Sequence, residues 1–356
     1  MGKNSMSHII TAQQAEEFIV RVYVGLGMPT ADAKIIAELM VTADLSGADG
    51  HGIFRLPQYS KRIVEGGINL HPQMKLLKDA PSIALLHGDN AMGHLIMHRC
   101  TELAIEKAKK NGIGWVGCCY GNHAGAGSMY TNLVAEAGLV GMYLAVGSAN
   151  HMAPWGGIDM LLSTNPIAIS VPMGAGKPPV LLDMATTVAA YGKVKMKAQQ
   201  GEEMPVGWMI DKQGQPLTDP NKSHEGMLVP IGEYKGYGLS LMIALLAGCM
   251  NGAAVGSELV DFNADSKAVT NTGQTIIAIN PDFLGGTEHL VSDANRLVAE
   301  IKGSQKLPGV SEIRVPGDGI ARSKAKRTVS GIPIPDNLFK ALQETAKLAG
   351  VAPLEG

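Results

Sequence analysis

The chain reads as an α/β protein, and three features of the sequence predict it. From residue 82 onward, strand-like apolar runs alternate with helical periodicities. Glycine is abundant, at 44 of 356 residues, and aromatic residues make up only 4%. Such a pattern describes a compact fold with tight loops between packed layers. The length is two to three times that of a usual domain, so two domains, or one with a large insertion, are expected.

The opening of the chain is helical. Thr11 to Gln14 reads as a capping box, after which Ala15, Phe18, Ile19, Val22 and Leu26 recur at helical spacing. Gly27, Met28 and Pro29 stop that helix, and Thr30 is the expected cap of a second one ending near Gly47. A third helix is expected from about Gly52 to Glu65. The alternation then gives strands at "SIALLHG", "IGWVGCCYG" and "VGMYLAVG", with helices over 92 to 110 and 127 to 137. Further strands are expected at "PIAISVP", "PVLLDMA" and "QTIIAIN". Helices follow near 187 to 200, 236 to 250 and 286 to 303, then "EIRVPGDG", another strand and a last helix from about 335. The sequence contains no internal repeat and no low-complexity linker.

Composition narrows the function classes. The formal charge is −2 and no long block of one sign occurs, which disfavours nucleic acid and anionic membrane surfaces. A small molecule is the expected partner. Cys100, Cys118, Cys119 and Cys249 form no CxxC pair and no disulfide framework, as in a reducing cytoplasm. The N-terminus lacks a secretory apolar region, and Met6 is read as the native start after a short appended extension. "GLSLMIALLAGCMNGAAVG", from Gly238, has about the length of a membrane span. Its glycines and Asn251 cut the apolar part to about 13 residues, as in a buried helix.

Several stretches carry possible chemistry. "DGHGIFRLPQYSKRI" spaces His51, Arg55 and Tyr59 four apart, on one face if the segment is helical. Arg can clamp a carboxylate with two hydrogen bonds, His can protonate or polarise a carbonyl, and Tyr can orient either, which suits a 2-oxo or 2-hydroxy acid. A solvated polar face is the plain alternative, and Pro57 either sits early in the helix or splits it. "GNHAGAGS" puts His123 between a strand end and a helix start, where ligand sites of α/β proteins concentrate. A turn with an incidental histidine fits the same pattern. "GAGSMY" is not a GxGxxG fingerprint, because the third glycine and the later acidic residue are missing. In "MGAGKPP", Pro178 stands where a phosphate loop needs Ser or Thr. His94 and His98 lack the Glu of a HExxH zinc motif, no GxSxG occurs, and no metal site is assigned. In "KGYGLS", Lys235 at a helix start could meet a phosphate.

Taken together, "DGHGIFRLPQY", "GNHAGAG", "APWGGIDMLLSTNPIA", "LDMATT", "KGYGLSLMI" and "VPGD", in this order, resemble the type 2 malate/L-lactate dehydrogenase family. The likeness runs from about residue 8 to 350. It implies an NAD(P)-dependent oxidoreductase, with NAD ahead of NADP, acting on a small 2-hydroxy or 2-oxo acid. The implied fold is a non-Rossmann cofactor domain with a large mixed sheet, at 119–299. A helix-rich substrate and dimerisation domain from both chain ends, 1–118 with 300–356, completes a homodimer. By resemblance His123 matches the catalytic acid/base, with His51 beside it. Arg55, Tyr59, Thr164 and Asn165 line the substrate side, while Ser148, Leu182, Asp183, Met184, Lys235, Gly236, Gly317 and Asp318 match cofactor-contacting positions. Gly50 stands where the family usually has Ser or Thr, which leaves the acid open, including ureidoglycolate or a cyclic imino acid. The rival from another class is a metal-dependent hydrolase or lyase, or an inactive binding protein, with His94 and His98 as its local support.

Overall fold

The computed structural model describes residues 7–355; Met6 lies outside them. In chain order the elements are β1 (Ser7–Ile10), α1 (Ala12–Gly25), α2 (Thr30–Leu45), α3 (Leu56–Val64), β2 (Lys75–Asp79), β3 (Ile83–His87), α4 (Gly93–Asn111) and β4 (Ile113–Gly121). Then come α5 (Gly127–Glu136), β5 (Val140–Ala145), β6 (Ile167–Val171), β7 (Val180–Met184), α6 (Tyr191–Gln200), β8 (Met209–Asp211), β9 (Gly226–Leu228) and α7 (Tyr234–Ile243). β10 (Thr272–Ile279), α8 (Thr287–Gly303), α9 (Asp318–Ser330), β11 (Ile332–Pro335) and α10 (Asp336–Ala349) complete the chain.

The centre is a seven-stranded mixed sheet in the order β2-β3-β4-β10-β5-β6-β7. Only β3 and β4 pair in parallel; every other ladder is antiparallel. The missing glycine fingerprint and the sheet topology thus agree, since a Rossmann sheet is mostly parallel. β10 enters the middle of the sheet from far along the chain and is buried over nearly its whole length, as a strand covered on both faces must be. One core packs α4 and α5 on this sheet through Leu86, Val116, Tyr130, Tyr143 and Ile276. A second joins α1, α2, α3 and α10 through Phe18, Ile36, Leu56 and Leu342. It is closed by the antiparallel pairing of β1 with β11, where Ile10 faces Ile332.

The capping box of α1 forms, with Thr11 and Gln14 bonded reciprocally. At α2 the cap position falls to Pro29, and Thr30 is already the first helical residue. The expected single helix from Gly52 to Glu65 is instead two 3₁₀ turns, Asp49–His51 and Ile53–Arg55, followed by α3. The buried Asp44 side chain accepts the Ile53 N–H at 2.8 Å and holds the second turn in place. Gly52 permits this close approach, because a Cβ there would overlap that carboxylate. Pro57 falls at the start of α3, where it is tolerated. The apolar stretch after Gly238 folds as α7, a π turn (Ala244–Gly248) and a 3₁₀ turn (Cys249–Asn251). Among the described residues no helix is long and apolar enough to cross a membrane.

Candidate active site

His123 occupies the loop between β4 and α5, and the surrounding chain holds it tightly. Its neighbour Asn122 is buried, and its amide donates to Asn90 O at 3.1 Å, Asn90 Oδ1 at 2.9 Å and Ala91 O at 3.0 Å. Gln274, on central strand β10, donates to Asn122 O at 3.0 Å. α4 starts directly against this loop; a Cβ at Gly93 would run into the Asn122 and His123 carbonyls, so glycine is the residue that fits. The histidine is thus mounted on the centre of the sheet, not on a loose turn.

The breaking of the expected helix does not disperse its polar residues. Tyr59 Oη lies 2.6 Å from His123 Nδ1. The His51 ring stacks near-parallel on His123, with centroids 5.5 Å apart. Arg55 is close enough for its charge to depress the pKa of both imidazoles. Its guanidinium donates to Gly50 O at 2.8 Å and Gln58 Oε1 at 2.6 Å, and among the described residues no carboxylate meets it. Burial lowers its own pKa. A half-buried guanidinium with neutral partners is a ready receptor for an anion, because its charge is otherwise uncompensated.

Burial is the main cause that pushes the three central histidines down. His51 falls to about 4, with Arg55 second, and His94 to about 3, with His51 second. His123 lies well below the usual imidazole range, lowered by burial and then by Arg55, His51 and His94. All three are neutral near pH 7. His51 Nδ1 and both His94 ring nitrogens are buried with no hydrogen-bond partner. His94, far from any zinc arrangement, packs its ring edge-on to Tyr59 at 5.5 Å. Among the described residues no three His, Cys, Asp or Glu side chains are placed to hold a metal ion.

Two residues of the site went unread in the sequence. The Phe262 ring lies 5.5 Å from that of His123 and 5.9 Å from that of Tyr59. Arg62, fully buried, holds the loop bearing it: the guanidinium sits 4.7 Å over the Phe262 ring and donates to Ala268 O at 2.8 Å and to Asp265 O. Phe262 N also donates to Ser148 O at 3.0 Å. Ser148 is therefore tied by its backbone to the wall beside His123.

The remaining expected positions lie on several separate elements. Asn165 is buried, accepts from Gly147 N at 3.0 Å and donates to Ser240 O at 3.0 Å, which joins the loop before Ser148 to α7. Thr164 O accepts from both Thr186 N and Thr186 Oγ1 at 2.9 Å. Asp183, on edge strand β7 between Leu182 and Met184, accepts the Ser128 N–H at 2.8 Å in the first turn of α5. Lys235 lies exposed in the first turn of α7, which has no side-chain cap, and Gly236 is buried against Ile231. Gly317 packs beside Pro179 and Leu181 at the start of α9, and the Asp318 carboxylate binds Lys302 at 2.8 Å and Val315 N at 3.0 Å.

Residues 10–343 match the family model described as malate/L-lactate dehydrogenase. The chain belongs to that family. The dehydrogenase is 38% identical over 346 residues to a malate dehydrogenase of Pyrococcus abyssi, covering 95% of this chain and 94% of the other. A ureidoglycolate dehydrogenase (NAD(+)) of Escherichia coli K12 is 35% identical over 316 residues, 89% of each chain. Among solved structures, the sulfolactate dehydrogenase of Methanocaldococcus jannaschii superposes with a TM-score of 0.89 at 37% identity, over 97% of this chain and 98% of that one. The dehydrogenase is thus an oxidoreductase acting on the CH–OH group of hydroxy acids, and its family implies a nicotinamide cofactor. At Gly50, where relatives were expected to carry a hydroxyl, a Cβ would meet nothing within 4 Å. The dehydrogenase thus has room for a side chain there, and uses the Gly50 carbonyl to hold Arg55 instead.

Proposed function

We propose that the protein interconverts a small 2-hydroxy acid and its 2-oxo acid with NAD, in preference to NADP, as the cofactor. The observation that carries this reading is the half-buried Arg55 guanidinium, without a carboxylate of its own, beside the stacked His51 and His123 rings. That is a receptor for a carboxylate next to a proton donor for the adjacent oxygen.

The residues present suit a dinucleotide. The first turn of α7, without a side-chain cap, offers the exposed Lys235 ammonium to a diphosphate, and Gly147–Ser148 is tied to the same helix through Asn165. When bound, the nicotinamide supplies or takes up the hydride.

Arg55 holds the acid's carboxylate and fixes its carbonyl carbon. Tyr59 occupies His123 Nδ1, so Nε2 is the atom left for the substrate oxygen. In oxidation neutral His123 takes the hydroxyl proton at Nε2; in reduction the imidazolium returns it to the nascent alkoxide, with His51 as a second donor to that oxygen. This role requires the tautomer in which His123 Nδ1–H donates to Tyr59 Oη. Substrate binding assists the reduction: a carboxylate on Arg55 cancels part of the charge that keeps His123 neutral, and raises its pKa toward the working range.

The helices of both chain ends, 1–118 with 300–356, are proposed as the substrate and dimerisation unit of a homodimer, and 119–299 as the cofactor unit. The free thiols support a cytoplasmic setting. Arg55→Lys tests the clamp, since a point charge replaces a planar fork. KM for the best acid should rise at least about tenfold with kcat less affected; an unchanged KM would remove Arg55 from that role.

A further inference from the structure

We propose that Gln58 is a positioning residue for acid binding: it fixes the plane of the Arg55 fork on one side and fastens the segment carrying Phe262 on the other. The proposal rests on the reading of Arg55 given above and adds to it the group that aims the clamp.

The chain from Leu259 to Asn271 crosses the site as a strap, and α3 carries a polar seam that holds it. Gln58, Arg62 and Glu65 follow one another at spacings of four and three, on one face of that helix. Each reaches the strap. Gln58 Nε2 donates to Asn263 Oδ1 at 2.9 Å, Arg62 donates to Ala268 O at 2.8 Å and to Asp265 O, and the Glu65 carboxylate accepts from Ser266 Oγ. Of the three, Gln58 is the one that also bonds Arg55, its Oε1 accepting from Nη1 at 2.6 Å.

The donors and acceptors fix the direction of this chain of bonds. A guanidinium only donates and an ionised carboxylate only accepts. Arg55 Nη1 therefore turns Gln58 Oε1 toward itself, which leaves Gln58 Nε2 for Asn263 Oδ1, and Asn263 Nδ2 then donates to Asp261 Oδ1 at 3.2 Å. Asp261 Oδ1 also accepts from Asn263 N at 2.7 Å. Two amides thus run from the cation to a carboxylate in one sense only, so Arg55 is oriented without being neutralised. Asp261 and Asn263 flank Phe262, whose ring lies 5.5 Å from that of His123. The acid-binding cation and the wall beside the proton donor are held by the same bonds.

Those bonds also decide how an acid docks. Gly50 O takes the Arg55 Nε–H at 2.8 Å, which closes the side-on approach through Nε and Nη2. One N–H of Nη1 and both of Nη2 remain, and they receive the two oxygens of a carboxylate end-on. Without Gln58 the guanidinium keeps only the Gly50 bond and turns about it, so the carboxylate loses its fixed plane.

The test measures KM and kcat for the faster of oxaloacetate and pyruvate, the NADH dissociation constant by fluorescence, and melting curves. The proteins are wild type, Gln58→Met, Gln58→Glu, Asn263→Ala and the double variant Gln58→Met with Asn263→Ala. Gln58→Met should raise KM about tenfold, with kcat less affected and NADH affinity unchanged. Gln58→Glu separates positioning from simple support. It keeps an acceptor for Arg55, so a merely structural bond predicts a milder defect than in Gln58→Met. An aimed anion clamp predicts a worse one, with KM up about 100-fold, because the introduced carboxylate occupies the fork. That defect should ease as pH falls and the carboxylate is protonated. Asn263→Ala should raise KM about threefold and add little to Gln58→Met, since both break one chain of bonds. Gln58→Glu equal to or better than Gln58→Met, additive effects in the double variant, or an equal loss of NADH affinity overturns the role of Gln58. A raised KM in Arg55→Lys beside unaltered Gln58 variants overturns that role alone. An unchanged KM in Arg55→Lys removes the clamp and this proposal with it, and a wild type that reduces neither acid overturns the oxo-acid reading beneath both.

Discussion

At the scale of single residues, the site works because burial keeps its imidazoles neutral while one guanidinium stays charged. His123 can then accept a proton from a hydroxyl and, once an anion sits on Arg55, hold one for release. Two substitutions separate chemistry from orientation. His123→Ala should lower turnover by roughly 10² or more, with cofactor binding retained in a fluorescence titration. Tyr59→Phe keeps the ring but leaves His123 Nδ1 without its 2.6 Å partner; turnover should fall by about tenfold, because the ring and its tautomer are no longer fixed. Equal kcat in Tyr59→Phe and wild type would mean that the tyrosine only packs. His51, Arg55, Tyr59 and His123 were legible as chemistry-bearing types at suggestive spacing. Phe262 and Arg62 were not, because their contacts span some 200 residues and leave no local periodicity.

At the scale of elements, the segment bearing His51 and Arg55 is shaped by its neighbours more than by its own pattern. Asp44 on α2 takes the Ile53 N–H, and Arg327 on α9 reaches Asp44 O at 2.5 Å and pairs with Asp49. Two alanine substitutions two residues apart make a sharp contrast. Gly52→Ala pushes a methyl into the Asp44 carboxylate and should cost about 1–3 kcal/mol, lowering Tm and raising KM together. Gly50→Ala meets open space and should leave Tm nearly unchanged. If both melt alike, the proposed anchoring by Asp44 is wrong. The same neighbour effects explain which elements were legible. The core strands β3 to β7 and β10 show their apolar runs, and α1, α4 and α10 their stripes. β2 is exposed along its whole length and α9 buries no residue, so neither leaves a pattern in the sequence. The third helix was misread because its periodicity continues through a segment that folds as two 3₁₀ turns before α3.

At the scale of the molecule, the chain ends meet in the β1–β11 ladder and close the helical core beside the sheet that carries His123. Buried neutral imidazoles tie this architecture to pH. His94, fully buried, has its pKa depressed from 6.5 to about 3. Below pH 6.5 the unfolded chain binds a proton that the native site refuses, so stability is greatest above that pH and falls as pH drops toward 3. Between pH 7 and 5 the loss from this one group is about 2 kcal/mol, and His51 adds in the same direction. Urea unfolding at the two pH values should therefore show a clear drop, and His94→Gln should flatten it. A stability independent of pH over that range would contradict the burial assigned to these rings.

The central claim is that one site joins an anion clamp on Arg55 to a proton donor on His123 for hydride exchange with a 2-oxo acid. Following cofactor oxidation by purified protein supplied with NADH and oxaloacetate tests it most directly. The account predicts catalytic turnover yielding one hydroxy acid per NADH consumed, abolished to within a percent or so by His123→Ala. Turnover that persists at the wild-type rate in His123→Ala would contradict it.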